Sequence, residues 1–159
     1  MLVTLTSSST PYHGDLRFEL EGLSLVAGTY YFELDRRVGA PDGMVAVRAS
    51  LHALLVQWRA CVEALENEAS VALPFAYSDM HTGVLVVTRR GEVLDVATGF
   101  TTVEGWAHYP SDLPSFYERE PAIIPDNTST VTTARSAFLS AIEESLGAIA
   151  EAIRAQTST

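Results

Sequence analysis

The spacing of apolar residues changes along this chain, and each change marks a switch between strand and helix. Residues 15–21 alternate, with Leu16, Phe18 and Leu20 on one face, which is the pattern of a half-buried strand. After Ser50 the apolar residues recur every three or four positions, as on the buried stripe of an amphipathic helix. A second group of short apolar runs, typical of strands, and a second helical stretch follow. The sequence therefore predicts strands, a helix, further strands and a C-terminal helix.

The bounds of these elements come from their caps and turns. Ser50 is expected to cap a helix over residues 51–68, and the final helix is expected over residues 132–155. The segment TYYFELD (29–35) is predicted to be a strand, as are VALPFAY, GVLVVTR and EVLDVATGF further along. GAPDG (39–43) is predicted to be a turn, and the short run MVAVR (44–48) follows it. Gly91 supplies the positive φ of a hairpin turn, and Pro74 indicates an edge strand. The predicted fold class is α+β, with two main helices packed on a mostly antiparallel sheet.

The length of 159 residues fits one domain, and we expect residues 1–159 to form it. Residues 1–13 are predicted to be a flexible tail. They lack the basic and apolar regions of a secretory signal, so a cytoplasmic location is expected. No apolar run in the sequence approaches the roughly 18 residues that span a bilayer. Cys61 is the only cysteine, which excludes an intramolecular disulfide and a cysteine-rich zinc site.

The charge balance restricts the possible partners. Twenty carboxylates oppose ten arginines, lysine is absent, and the net charge is −10. Such acidity argues against binding to nucleic acid or to an anionic membrane. It permits a basic protein partner, whose association the negative field would accelerate; the alternative explanation is solubility alone. Arginine without lysine, alongside abundant alanine and valine, indicates a GC-rich bacterial genome.

Residues 101–130 are predicted to form a long irregular loop, because they lack periodicity and contain four prolines. Irregular segments of this length in small domains are often functional. The stretch WAHYPSDLPSFYEREP within the loop combines aromatic rings with acids, which suits recognition of a basic surface. The predicted partner-binding residues are Trp106, His108, Tyr109, Asp112, Phe116, Tyr117, Glu118 and Glu120.

An alternative interpretation makes the same stretch a lid over an open sheet face. Under it, Trp106 and Phe116 would be buried beneath the loop. Tyr109 and Tyr117 would remain the better contact residues, since tyrosine combines area with a hydroxyl at low entropic cost.

Two clusters come nearest to catalytic or metal chemistry. Asp79 and His81, in SDMHTG, form a possible polar site in which a carboxylate orients an imidazole; the alternative is an ordinary turn. His108 near Asp112 and Glu118 has spacings too irregular to predict a metal. We find no nucleotide-binding loop, metalloprotease motif or nucleophile elbow. The sequence thus leaves an enzyme unsupported and predicts no catalytic residue, metal or cofactor.

The order of elements resembles that of the small acidic immunity proteins of bacterial toxin systems. The resemblance lies in LHALLVQWRACVEAL, followed by LPFAYSDMHTGVLVV and VEGWAHYPSD. It implies a non-catalytic protein that binds and blocks a cognate toxin. Such families share no catalytic residues that could be carried over to this chain.

Two other functions remain open at this point. A secretion-chaperone-like adaptor would also be small, acidic and α+β, and would dimerise through a long C-terminal helix. A small-molecule binder or enzyme would hold its ligand between sheet and helix, in a pocket lined by His81 or His108. The chain is expected to be a monomer or a homodimer.

Overall fold

The computed structural model describes residues 2–6, 15–41, 43–126 and 130–157. A small sheet contains β1 (Leu2–Thr6), β2 (Asp15–Leu20) and β3 (Leu23–Gly28), paired in that order. A larger sheet contains β4 (Ser70–Tyr77), β5 (Thr82–Arg90) and β6 (Val93–Thr101), again paired in order. Two short strands, β7 (Ile124–Pro125) and β8 (Val131–Ala134), both pair with β6. Every pairing is antiparallel.

Two long helices accompany the sheets. They are α2 (Met44–Ala64) and α4 (Arg135–Thr157), and shorter helices α1 (Tyr30–Glu33) and α3 (Leu113–Tyr117) lie in the connections. The α+β class predicted from the sequence is confirmed. Among the residues described, none of the helices combines the length and apolar character needed to cross a bilayer.

Phe18 joins the two sheets and α2 in one core. The alternating face of β2 is buried as predicted, with Leu16, Phe18 and Leu20 at most 6% exposed. The Phe18 ring stacks on Trp58 of α2 at 5.4 Å and meets Phe75 of β4 edge-on at 5.7 Å. The small sheet therefore depends on α2 and on the larger sheet for its buried side.

The segments at 29–35 and 44–48 both contain helical residues. Tyr30–Glu33 forms the single turn α1, so the prediction of TYYFELD as a strand was wrong, and the run at 44–48, which was not assigned from the sequence, begins α2. In the first, the Thr29 carbonyl accepts hydrogen bonds from the amides of Phe32 and Glu33, which closes the turn of α1. A 3-10 helix at Arg36–Val38 follows. In the second, Gly43 adopts a φ of 77° and α2 begins directly after it. Because it begins at Met44 and not at residue 51, α2 is almost two turns longer at its N-terminus than predicted, with Ala46 and Val47 facing the core.

The long helices also differ from their predicted bounds. Ser50 lies inside α2 and is fully buried, so it does not cap the helix. The helix ends at Ala64, ahead of the predicted residue 68. Thr132 lies in β8, because residues 131–134 pair with the outer side of β6, and α4 begins at Arg135.

The N-terminal region contains a hairpin that the sequence did not predict. Leu2–Thr6 forms β1 and pairs with β2, which corrects the predicted tail for these five residues; residues 7–13 lie outside the described part of the chain. Strand β3 was also missed. It follows a two-residue turn in which Glu21 and Gly22 have φ values of 45° and 88°. Both residues take positive φ, but Glu-Gly lacks the familiar Asn-Gly or Asp-Gly signature of such turns.

The hairpin of the larger sheet agrees with its prediction. Gly91, at the β5–β6 turn, has a φ of 61°. Val84 and Leu85, which point to opposite faces of β5, are both buried, as expected for a central strand. Pro74 lies in the outer strand β4, where the register shifts between Pro74 and Ala76.

We expect Phe18→Ala to destabilise the protein by about 3–5 kcal/mol, because it removes the ring that links the sheets to α2 and leaves a cavity. Val26→Ala is the matched control, since Val26 lies in the paired strand β3 and is 54% exposed. The control should change stability by less than about 0.5 kcal/mol. Urea unfolding would measure both; equal effects would contradict the assignment of Phe18 to the shared core.

Candidate functional site

Hydrogen bonds at several positions attach the segment between β6 and β7 to the rest of the protein. A 3-10 helix spans Gly105–Ala107, and α3 follows. The side chain of Gln57, in α2, donates to the carbonyl of Pro110 at 3.2 Å and accepts from the amide of Leu113 at 2.7 Å. The hydroxyl of Tyr117 donates to the carbonyl of Ala72 at 2.8 Å. The predicted irregular loop therefore contains ordered helical turns with fixed positions.

Asp35 provides a second attachment for this segment. Its carboxylate is 1% exposed and accepts a hydrogen bond from the Ser111 amide at 2.8 Å. It also accepts from the Ser50 hydroxyl at 3.1 Å and from the Arg37 amide at 3.2 Å. Buried charge is costly unless several donors compensate it. The three donors come from three different elements, so Asp35 fixes their relative positions.

Gly105 brings the segment into close contact with the end of β4. Its amide donates to the carbonyl of Ser78 at 2.6 Å. A Cβ atom at this position would lie 2.7 Å from the Ser78 nitrogen and 2.9 Å from the Tyr77 Cβ. Only glycine permits this approach, which also determines where the next residue, Trp106, leaves the backbone.

His108 is buried beneath the segment as a neutral imidazole. The Thr82 hydroxyl donates to the carbonyl of Val103 at 2.8 Å, so its oxygen accepts from Nε2 of His108 at 3.1 Å. This arrangement puts the proton on Nε2, while Nδ1 has no hydrogen-bond partner among the described residues. Burial, and then the positive charge of Arg119, lower the pKa of His108 to about 4.

The structure separates the predicted partner-binding residues into exposed and buried groups. Trp106 is 64% exposed, so its interpretation as part of a lid was wrong. His108 and Phe116 are 2% and 0% exposed, because their rings pack together in the core at 5.0 Å, and this corrects the prediction that they contact a partner. Phe116 instead matches the lid interpretation.

Tyr109 and Asp112 form a small cluster with Arg37. Tyr109 is 38% exposed and lies under the Arg37 guanidinium, 4.9 Å from ring centre to cation. Asp112 caps α3 by accepting from the Ser115 amide and forms an ion pair with Arg37. The acidic character of Asp112 is thus partly neutralised, which weakens its value for attracting a basic partner.

The remaining predicted residues lie on α3 and just after it. Tyr117 is half-buried, and burial followed by the neighbouring Cys61 thiol raises its pKa. Glu118 and Glu120 are exposed. Their role in partner binding remains a prediction.

Asp79 and His81 have separate partners. Tyr31 donates its hydroxyl to Asp79, and burial together with this bond raises the pKa of Tyr31 to about 12. The His81 Nδ1 lies 3.2 Å from the Ser78 hydroxyl, whose oxygen also accepts from the His81 amide. Ser78 makes the bonds expected of a turn, whereas Asp79 accepts from a distant side chain, and a joint polar site of Asp79 and His81 remains a prediction. Among the residues described, no group of three or more histidine, cysteine, aspartate or glutamate side chains is arranged to hold a metal ion.

Exposed apolar side chains gather at the end of the larger sheet where β4 ends and β5 begins. Met80 is 81% exposed in the turn, and the ring of Phe100, 37% exposed in β6, lies 6.0 Å from that of His81. The sequence did not single out these side chains. We call the following set the aromatic face: Tyr30, Met80, Phe100 and Trp106, with Ile124 at its margin.

Hydrogen bonds, ring contacts and strand pairing connect the segments that carry the aromatic face. Tyr30 meets Tyr31 edge-on at 5.3 Å, and Tyr31 bonds to Asp79 beside Met80. Phe100 pairs across the strands with Ile124. Trp106 follows Gly105, which touches the Ser78–His81 turn. An exposed apolar region of this kind on an acidic protein is typical of a binding surface.

The segments that form the aromatic face carry only negative formal charge. They are residues 29–35, 78–82, 99–106 and 123–126, and they contain no arginine or lysine. Glu33, Asp79, Glu104 and Asp126 are exposed or half-buried within them. This part of the surface therefore combines apolar area with a negative field.

Comparison with known proteins adds little to this description. No family model matches the chain, and no curated protein matches it. A solved structure described as "CdiA-CT/CdiI toxin and immunity complex from Enterobacter cloacae" contains a similar chain, with a TM-score of 0.44 and 10% identity, covering 93% of this chain and 94% of that chain. A likeness of this degree does not establish a shared fold or function.

We expect Gly105→Ala to destabilise the protein by about 2 kcal/mol, because its Cβ would overlap the backbone of Ser78. Gly147→Ala is the matched control, since a Cβ there meets nothing within 4 Å and the residue lies inside α4. That control should stabilise the protein by up to about 1 kcal/mol. Thermal and urea unfolding would measure both, and similar values for the two variants would contradict the tight contact at Gly105.

We expect His108 to make stability depend on pH. Its pKa is about 4 when folded and 6.5 ordinarily, so the unfolded chain binds more protons between these values. The stabilising contribution is complete above pH 6.5 and declines as the pH falls toward 4. Linkage predicts a loss of about 2 kcal/mol between pH 7 and pH 5 from this group.

His108→Gln provides the comparison, because the amide nitrogen of glutamine can donate to Thr82 but does not titrate in this range. Urea unfolding at both pH values should give a smaller decline for the variant than for the wild type. The same decline in both proteins would contradict a buried neutral imidazole.

Proposed function

We propose that this chain is a protein-binding protein whose contact surface is the aromatic face and whose partner is basic. The observation that carries the proposal is the 64% exposure of Trp106 on a segment anchored by buried hydrogen bonds. An exposed tryptophan on an ordered backbone contributes large contact area, and little conformational entropy is lost when it binds. Its exposure has no explanation in the packing of the core.

Charge supports the choice of a basic partner. The whole chain has a net charge of −10, and the segments around the aromatic face contain no arginine or lysine. Negative potential would accelerate association with a positively charged protein and would disfavour acidic ones.

The more specific form of the proposal is an inhibitor that blocks a basic bacterial toxin. Toxins that cleave nucleic acid need a basic cleft to bind phosphates. An acidic surface with ordered aromatic anchors is suited to cover such a cleft. In this role the chain performs no chemistry and needs no cofactor.

The other candidate functions receive less support. A ligand site between sheet and helix would need a pocket lined by His108 or His81. The His108 ring lies 5.0 Å from both Tyr77 and Phe116 in a filled core, and the cleft at His81 has no helical residue in its lining. An adaptor that dimerises through α4 would need a second apolar stripe on that helix. The core already uses Phe138, Ile142 and Leu146.

We expect Trp106→Ala to reduce partner capture at least tenfold, because truncation of a central aromatic anchor costs about 2 kcal/mol or more. Tagged wild type and variant would be incubated with lysate of the source organism at low and moderate salt, and captured proteins would be quantified by mass spectrometry. Val56→Ala is the matched control, since Val56 is exposed on α2, away from the aromatic face.

The expected partner is a stoichiometric basic protein that the control retains and the Trp106 variant loses. Capture should also weaken at the higher salt concentration, because salt screens exposed charges. Equal capture by the Trp106 variant, or an acidic partner, would contradict the proposed surface. If the wild type captures no protein at either salt concentration, a tight constitutive complex is excluded.

A further inference from the structure

A surface cleft borders the aromatic face and has a distinctive lining. It measures about 290 Å³ and is lined by Met80, His81, Phe100, Thr101 and Thr102. One wall is the 81% exposed thioether of Met80, and another combines the rings of His81 and Phe100, set at 71° to each other. The cleft therefore presents apolar and aromatic walls directly to solvent.

The charged residues nearest to the lining along the chain are carboxylates. Asp79 is exposed and precedes Met80, and Glu104 is half-buried two residues after Thr102. The carboxylate of Asp79 has a fixed position because Tyr31 donates a hydrogen bond to it. An apolar cleft with carboxylates beside it matches a side chain that has a long aliphatic stem and a cationic end.

We infer that this cleft holds one arginine side chain of the partner. The methylene groups would pack along Met80, and the planar guanidinium would stack against the Phe100 ring, an arrangement that arginine makes more readily than lysine. Asp79 and Glu104 would supply the opposite charge. The inference rests on the proposed function, because it identifies one partner group that the aromatic face would bind.

A second cleft differs from this one in the charge beside it. It measures about 410 Å³ and lies between α2 and α4, with Val38, His52 and Ile153 in its lining. Arg154 also lines it, so a cationic side chain would be repelled there. The two clefts thus predict opposite responses to a positively charged probe.

The inference can be tested without knowing the partner. The probe is N-acetyl-arginine methylamide at millimolar concentration, and the matched control is N-acetyl-citrulline methylamide, which has nearly the same shape without the charge. Binding would be followed by NMR, using the methyl signal of Met80 and the amide signals of Thr101 and Thr102. We expect saturable shifts with the arginine probe and at least threefold weaker binding of the citrulline probe.

Variants assign the binding to the named residues. Met80→Ala should remove most of the affinity, and its fold should be unaffected because Met80 is 81% exposed. Asp79→Asn combined with Glu104→Gln should weaken the arginine probe by about threefold or more, as expected for exposed charge pairs. Glu144→Gln combined with Glu151→Gln, both on the exposed side of α4, is the charge-matched control.

Several results would overturn the inference. They are equal affinity for the two probes, tighter binding of N-acetyl-norleucine methylamide, shifts confined to the cleft at Arg154, or no saturable shift at all. None of these results would affect the role proposed for Trp106, which the capture experiment tests separately. Failure of the arginine site and failure of the proposed function are therefore distinguishable.

Discussion

The carboxylate of Asp35 is buried among groups that donate hydrogen bonds to it, and the segments carrying those groups shape the aromatic face. Its donors are the Arg37 amide, the Ser50 hydroxyl in α2 and the Ser111 amide between β6 and β7. None of the three is a charged side chain. A buried anion held in this way tolerates little displacement of any donor, since a lost hydrogen bond to a charged group costs about 1.5–3 kcal/mol. Asp35 thereby converts a proline-rich connection into a defined surface.

The fold was predictable where the hydrophobic pattern is long and periodic. The stripe of α2, the alternation of β2 and the continuous apolar run of β5 each identify an element without tertiary information. The failures were local. TYYFELD alternates like a strand, but a single turn of helix also buries Phe32 while exposing Tyr30. Four residues are too few to distinguish the two-residue period of a strand from the 3.6-residue period of a helix. Here the hydrogen bonds to the Thr29 carbonyl favour the helix.

The proposed contact surface overlaps only in part with the one predicted from the sequence. Aromatic and acidic residues in a proline-rich connection drew attention to residues 106–121, and Trp106 is the residue common to both. Which rings are exposed depends on contacts that are distant in sequence. Trp106 is turned outward because Gly105 lies against Ser78. His108 is turned inward because its Nε2 donates a hydrogen bond to the Thr82 hydroxyl. Met80 and Phe100 were missed for the same reason, since their neighbourhood forms only when three strand ends meet. Alternation would place Phe100 on the same buried face of β6 as Leu94 and Val96. Phe100 is nevertheless partly exposed, because it lies at the end of that face.

The combination of a negative field and an ordered aromatic surface has a kinetic and an energetic consequence. Long-range attraction raises the rate of encounter with a basic protein but contributes less to the lifetime of the complex. The lifetime depends on anchors such as Trp106, whose affinity is reduced if the backbone must first become ordered. In this chain the ordering is already provided by Asp35, Gln57 and Gly105, which lie beneath the contact surface. The buried polar contacts that hold the connection in place are therefore as important to binding as the exposed rings. A substitution beneath the surface should weaken binding, because the backbone would have to become ordered first, even though every contact atom is still present.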